Sequence, residues 1–126
     1  MKSVYEDSYY PPAPTVEIWL APPERAFVLG PLRALIDSGA DGSLLPAQIL
    51  RELGVELFDV KRLRSQWGEV RFVETYLVDV GIGSLRLPLI EVVSDDASEE
   101  VLLGRNALNL LHLTLDGPKQ VVEVRE

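Results

Sequence analysis

The sequence predicts an all-β fold, a barrel or sandwich with one or two short helices. Strand-like runs recur at short, even intervals, the turns between them are rich in Gly and Pro, and helical spacing is confined to two brief stretches. At 126 residues, 47% of them apolar, the chain has room for one domain with a real core and none for a second lobe.

Residues 1–14 (MKSVYEDSYYPPAP) show neither strand nor helix periodicity and are expected to be a flexible or arm-like segment, with the folded domain spanning 15–126. Residues 15–20 (TVEIWL) and 25–30 (RAFVLG) read as a hairpin around Pro22 and Pro23, neither of which can continue a ladder. Gly30-Pro31 is expected to turn the chain into a further strand, 32–36. Leu45, Ile49 and Leu53 recur at i, i+4, i+8, with Pro46 near the start and Gly54 just past the end, as in a short amphipathic helix. Further on, Val70, Phe72, Tyr76, Val78, Val80 and Ile82 share one parity, broken only by Glu74, and Arg71, Thr75 and Asp79 lie on the other, which predicts a long, half-buried strand with a bend. After a turn at 81–84, residues 85–93 return as a strand whose Pro88 favours an edge or a bulge. An acidic loop (94–100, SDDASEE) leads to a second apolar strand, Val101-Leu102-Leu103, that ends in Gly104. A short helix spaced on Leu108 and Leu111 follows, and then two strands around the turn 116–119.

Composition removes several kinds of chemistry. There is no cysteine and a single histidine, His112, so neither a disulfide framework nor a zinc site is expected, and a serine triad would have to recruit that one His. The net charge of -8 repels phosphate backbones, which makes nucleic acid a poor partner. No run approaches the roughly 20 apolar residues of a membrane span, and Met1-Lys2-Ser3 is followed by Tyr and acids rather than a signal-peptide core. The expectation is an intracellular, cytoplasmic protein with no membrane partner. Asp37 to Gly42 superficially resembles a calcium loop, but Gly39 stands at its third position and Gln48 at its twelfth, where a bidentate Glu is required.

The informative stretch is Ala34-Leu35-Ile36-Asp37-Ser38-Gly39-Ala40-Asp41. An apolar run stops abruptly at an acid, a hydroxyl and a glycine, so a buried strand delivers one carboxylate into a tight turn. Together with Leu102-Leu103-Gly104-Arg105-Asn106-Ala107-Leu108 downstream, this pair of motifs resembles the retropepsin-like, retroviral-type aspartic proteases over roughly residues 15–126. The resemblance implies a closed acid-protease β-barrel, a single lobe, in a homodimer that brings Asp37 of each subunit together on a twofold axis. Hydrolysis of an amide by water needs one carboxylate as base and a second carboxyl as acid, and two like charges that close share a proton. One Asp-Ser-Gly per chain supplies only half of that pair.

The same resemblance implies roles for the neighbours. Ser38, Gly39 and Ala40 would support the active-site loop, with the Ser38 hydroxyl bonding across the axis and Gly39 allowing close backbone approach; local turn bonding is the plainer alternative. Asp41 and Arg105 would form an ion pair, with Asn106, bracing the loop near the interface; otherwise they are two solvated charges. Leu102, Leu103 and Gly104 would pack beneath the loop. The flap departs from the viral pattern, because the glycine-bearing turn 81–84 comes too late. It is placed at 63–72, where Arg64, Trp67, Gly68 and Arg71 would overhang the cleft, the arginines favouring acidic substrates. A solvated basic hairpin with a packing Trp remains equally open.

The implied activity is that of an aspartic endopeptidase acting on an extended peptide or protein, without cofactor or metal. A catalytically weak dimer that binds peptides is the alternative, and a chain that pairs its Asp with a different partner is a third. The ordinary Met start and the absence of polyprotein context lead to the expectation of a cellular, microbial member rather than a viral one.

Overall fold

The computed structural model describes residues 1–65 and 67–126. Its strands are β1 (Lys2–Val4), β2 (Thr15–Ala21), β3 (Leu29–Ile36), β4 (Ser43–Pro46), β5 (Leu57–Arg64), β6 (Val70–Ile82), β7 (Leu85–Asp95), β8 (Val101–Leu103), β9 (Leu113–Asp116) and β10 (Val121–Val124). Two short helices, α1 (Ala47–Leu53) and α2 (Arg105–Leu108), complete it. The main sheet runs β2-β3-β8-β4-β7-β6-β5, and a further pairing of β2 with β6 closes the first six of these strands into a barrel. β5 stays outside as the free arm of a hairpin. No helix among the described residues is long and apolar enough to cross a membrane.

Alternation builds the barrel interior. Val16, Ile18 and Leu20 of β2 are buried, while Glu17 and Trp19 between them face outward. Val78, Val80 and Ile82 from β6, Leu87, Ile90 and Val92 from β7, and Val101 and Leu103 from β8 meet them in one core. Leu50 and Leu53 of α1 and Ala107 and Leu108 of α2 join the same core. Each buried Val, Leu or Ile among them contributes roughly 1.5–3 kcal/mol by leaving water.

The first fourteen residues carry β1, whose three residues are too few to show a period. β1 pairs with β10, which pairs with β9, forming a separate three-stranded sheet. The hairpin expected at 15–30 takes another form. Residues 25–28 are not a strand, and Gly30-Pro31 is no turn, because β3 runs through it from Leu29 to Ile36. Gly30 and Pro31 stand opposite Trp19 alone, between the pairs Leu20–Leu29 and Ile18–Leu32. Gly30 has φ 146°, and a Cβ there would sit 2.8 Å from the Trp19 ring. A bulge absorbs the proline's missing N–H without ending the strand.

β6 is the long bent strand that its parity predicts, but its halves differ. From Thr75 onward it is part of the barrel; before that it projects with β5 as a hairpin, so Val70 and Phe72, on the expected buried parity, are 44% and 72% exposed. Asp79 departs in the opposite sense, being 2% exposed. Pro88 and Leu89 form a bulge opposite it, between the pairs Val78–Ile90 and Val80–Leu87, and Leu89 adopts φ 54°. The Asp79 carboxylate accepts hydrogen bonds from the Leu89 and Glu24 backbone N–H groups, at 2.9 and 3.0 Å, and from Arg86 Nε at 2.9 Å. Burial pushes its pKa up, but these donors and the Arg86 charge outweigh it and hold the carboxyl below the ordinary range.

Candidate active site

Parallel pairing of β3 with β8 sets Leu35 beside Leu102 and Ile36 beside Leu103, so both apolar strands run out at the same edge of the barrel. The Asp37 N–H donates to the Leu103 carbonyl at 3.0 Å, the last rung of that ladder. Beyond it the chain tightens: the Ala40 N–H reaches the Asp37 carbonyl at 3.2 Å, and the Gly39 N–H donates to Asp37 Oδ1 at 2.9 Å. Among the described residues no other protein group hydrogen-bonds that carboxylate. Asp37 is half-buried, and Ser38 and Gly39 are exposed.

The loop is held from beneath by the segment after β8. Arg105 donates its backbone N–H to the Ala40 carbonyl at 2.8 Å and one guanidinium nitrogen to the Ser38 carbonyl at 2.8 Å, while the other pairs with Asp41. A planar fork can span a carbonyl and a carboxylate in this way; an ammonium has no such geometry. The Asn106 N–H donates to the Asp41 carbonyl at 3.2 Å. Gly104 lies so close to the loop that a Cβ would fall 2.1 Å from the Gly42 carbonyl oxygen and 2.9 Å from that of Ala40. Leu102 and Leu103, 8% and 2% exposed, fill the space alongside β3.

Several members of this arrangement have little signal in the sequence. Ser43 is buried, and its hydroxyl donates to Asn106 Oδ1 at 2.8 Å while accepting the Gly104 N–H at 3.0 Å. Asn106 Nδ2 in turn donates to the Glu91 carbonyl at 2.8 Å. The Glu91 carboxylate meets Lys61 of β5, whose ammonium is 2.8 Å from Oε1 and 2.7 Å from Oε2. The Lys61 hydrogen bond, with help from the Thr75 hydroxyl and the ammonium charge, outweighs desolvation and holds Glu91 below its ordinary pKa. In the sequence, Glu91 is only an acid alternating with Ile90 and Val92.

These groups wall an open groove of about 670 Å³ between the Asp loop and the hairpin, lined by Gly39, Asp41, Gly42, Leu44, Lys61, Leu63, Thr75, Glu91 and Val93 among others. Arg64 and Arg71 line its continuation beneath the hairpin, with Glu69 and Asp95. Trp67 is 82% exposed at the tip, where Gly68 has φ 84°; the apolar wall on the hairpin side comes from Leu63. Gln66, also within the expected flap, lies outside the described residues.

A closed barrel whose paired apolar strands present an Asp-Ser-Gly loop, braced by a Gly-Arg-Asn turn, defines the acid-protease class of lobe. The family model described as "gag-polyprotein putative aspartyl protease" matches residues 30–110, a span that includes both motifs, and the chain belongs to this retropepsin-like aspartic protease family. Its fold is similar to that of a retropepsin-like aspartic protease from Rickettsia conorii, with 16% identity, a TM-score of 0.64, and 98% of this chain and 90% of that one covered. It is also similar to EIAV protease complexed with the inhibitor HBY-793, with 22% identity, a TM-score of 0.55, and 77% and 86% covered. At these identities the likeness is one of fold. The comparison with curated proteins returned no match.

Proposed function

We propose that the chain is a homodimeric aspartic endopeptidase in which water, held between Asp37 of one subunit and Asp37 of the other, attacks a peptide carbonyl. The observation that carries this reading is the isolation of Asp37: a half-buried carboxylate on a braced loop, bonded among the described residues by Gly39 alone. A structural aspartate looks different here, as Asp79 shows with its full set of donors. A second carboxylate facing Asp37 would share its proton, leaving one group to deprotonate water and the other to protonate the carbonyl oxygen.

The remaining roles follow from position. Ser38 and Gly39 stand exposed at the face where a second subunit would meet the first, and Asp41, Arg105 and Asn106 keep that face in shape. The β5–β6 hairpin acts as the flap over an extended substrate. Arg64 and Arg71 beneath it favour acidic residues in the bound peptide.

The test is cleavage of a diverse peptide library between about pH 3 and pH 7, the range in which a carboxylate pair operates. Wild type and Asp37→Asn are compared, with the subunit mass of each measured in solution. Wild type is expected to cleave, and the variant to lose at least about a hundredfold in rate while remaining dimeric. A verified wild-type dimer that cleaves nothing would favour the peptide-binding alternative.

A further inference from the structure

β5 is the edge of the main sheet, and all eight of its residues are exposed. Its backbone pairs with β6 alone, so the hairpin would be free to swing on β6 unless a side chain tied it down. Among the described residues one does. Lys61 reaches across β6 to Glu91 of β7, the single side-chain bond from β5 to a strand other than its neighbour. Both carboxylate oxygens of Glu91 lie within 2.8 Å of the ammonium.

The anchor end is itself fixed. The Glu91 carbonyl accepts from Asn106, whose other amide atom accepts from Ser43, and Ser43 holds the Gly104 N–H beneath the Asp loop. The hairpin is thus referenced to the residues that brace Asp37, rather than to a distant part of the barrel. We infer that the Lys61–Glu91 pair is a latch that sets the height of the β5–β6 hairpin over the groove, so that Lys61 and Glu91 are positioning residues for the site. Lys61 is 46% exposed and Glu91 28%. An ion pair that wet holds the hairpin without locking it, and is broken and remade as the hairpin lifts. The mechanical part of this inference stands on the fold alone; its consequence for substrate rests on the peptidase reading above.

Amide hydrogen exchange tests the latch without requiring activity. Lys61→Met and Glu91→Gln are each expected to speed exchange of the β5 amides by about three- to fivefold, the effect of one half-exposed ion pair, and to leave β2 and residues 75–82 unchanged. The exchanged pair, Lys61→Glu with Glu91→Lys, should restore protection, because the Asn106 bond is to the Glu91 main chain and survives the swap. On the wild type, raising salt from about 0.05 to 1 M should accelerate β5 selectively; this arm decides the matter should a variant lose its barrel protection. Where peptide cleavage is measurable, the single variants should raise KM by a similar factor with kcat nearly constant, and the swap should reverse it. β5 exchange that is indifferent to both variants and salt, or a swap that restores neither protection nor KM, overturns the latch. An inactive dimer with a salt-sensitive hairpin would remove the peptidase and leave the latch standing.

Discussion

Asp37 and Asp79 are both aspartates at or within barrel strands, and their surroundings are opposite. Asp79 is enclosed, with Leu89, Glu24 and Arg86 donating to it, and it ties the β6–β7 bulge to the loop after β2. Its folded pKa lies below its unfolded one, so its stabilisation is complete above the unfolded value of about 3.9 and is lost as pH falls through the folded value. Asp79→Asn is expected to cost about 1–3 kcal/mol at neutral pH, with the gap from wild type narrowing in urea unfolding below about pH 4. A gap that stays constant down to pH 3 would contradict the carboxylate's role. The two residues were not equally legible. Asp37 announces itself because an apolar run ends in Asp-Ser-Gly, whereas Asp79 alternates with valines like any outward polar residue. Its burial depends on the bulge at Pro88 and Leu89 of the neighbouring strand and on the Glu24 loop, neither of which its own alternation reveals. Ser43, Lys61 and Glu91 were silent for a similar reason, since each matters only through partners on other strands.

At the scale of elements, local rules succeeded where one short stretch carries both the start and the stop signal, as at α1. α1 lies between Pro46 and Gly54 as its spacing requires, and Gly54 caps it at φ 69° with its N–H on the Leu50 and Arg51 carbonyls. Nothing lies within 4 Å of where a Gly54 Cβ would be, so the glycine is there for its backbone alone. Gly54→Ala should therefore lower stability by about 1 kcal/mol, a left-handed penalty with no steric part, measured as a shift in the denaturation midpoint with an unchanged slope. A loss several times larger would mean that packing, not conformation, dictates this residue. The rules failed at Gly30-Pro31, read as a turn and found as a bulge within β3, because the same dipeptide chemistry serves both and the choice was made by pairing with β2. They also failed to separate the halves of β6, whose parity runs on from the hairpin into the barrel with a single break at Glu74.

The whole molecule is acidic, yet the segment 57–72 carries four cations (Lys61, Arg62, Arg64, Arg71) against two acids (Asp59, Glu69), a net charge of +2 on a chain of -8. The basic hairpin stands over a groove whose other wall is the Asp loop, a division of charge suited to drawing peptide toward the carboxylate. A single chain offers one such wall and one Asp-Ser-Gly, so the central proposition is that catalysis belongs to the pair and not to the subunit. Mixing tests it most directly. Wild type and Asp37→Asn are combined in equal amounts at fixed total concentration, allowed to exchange subunits, and assayed for peptide cleavage. If each site needs both aspartates, mixed dimers are dead and activity falls to about a quarter of the all-wild-type value, because random pairing leaves that share of intact dimers. Activity at about one half, in simple proportion to the wild-type chains present, would show that one subunit carries a complete site and would contradict the shared pair.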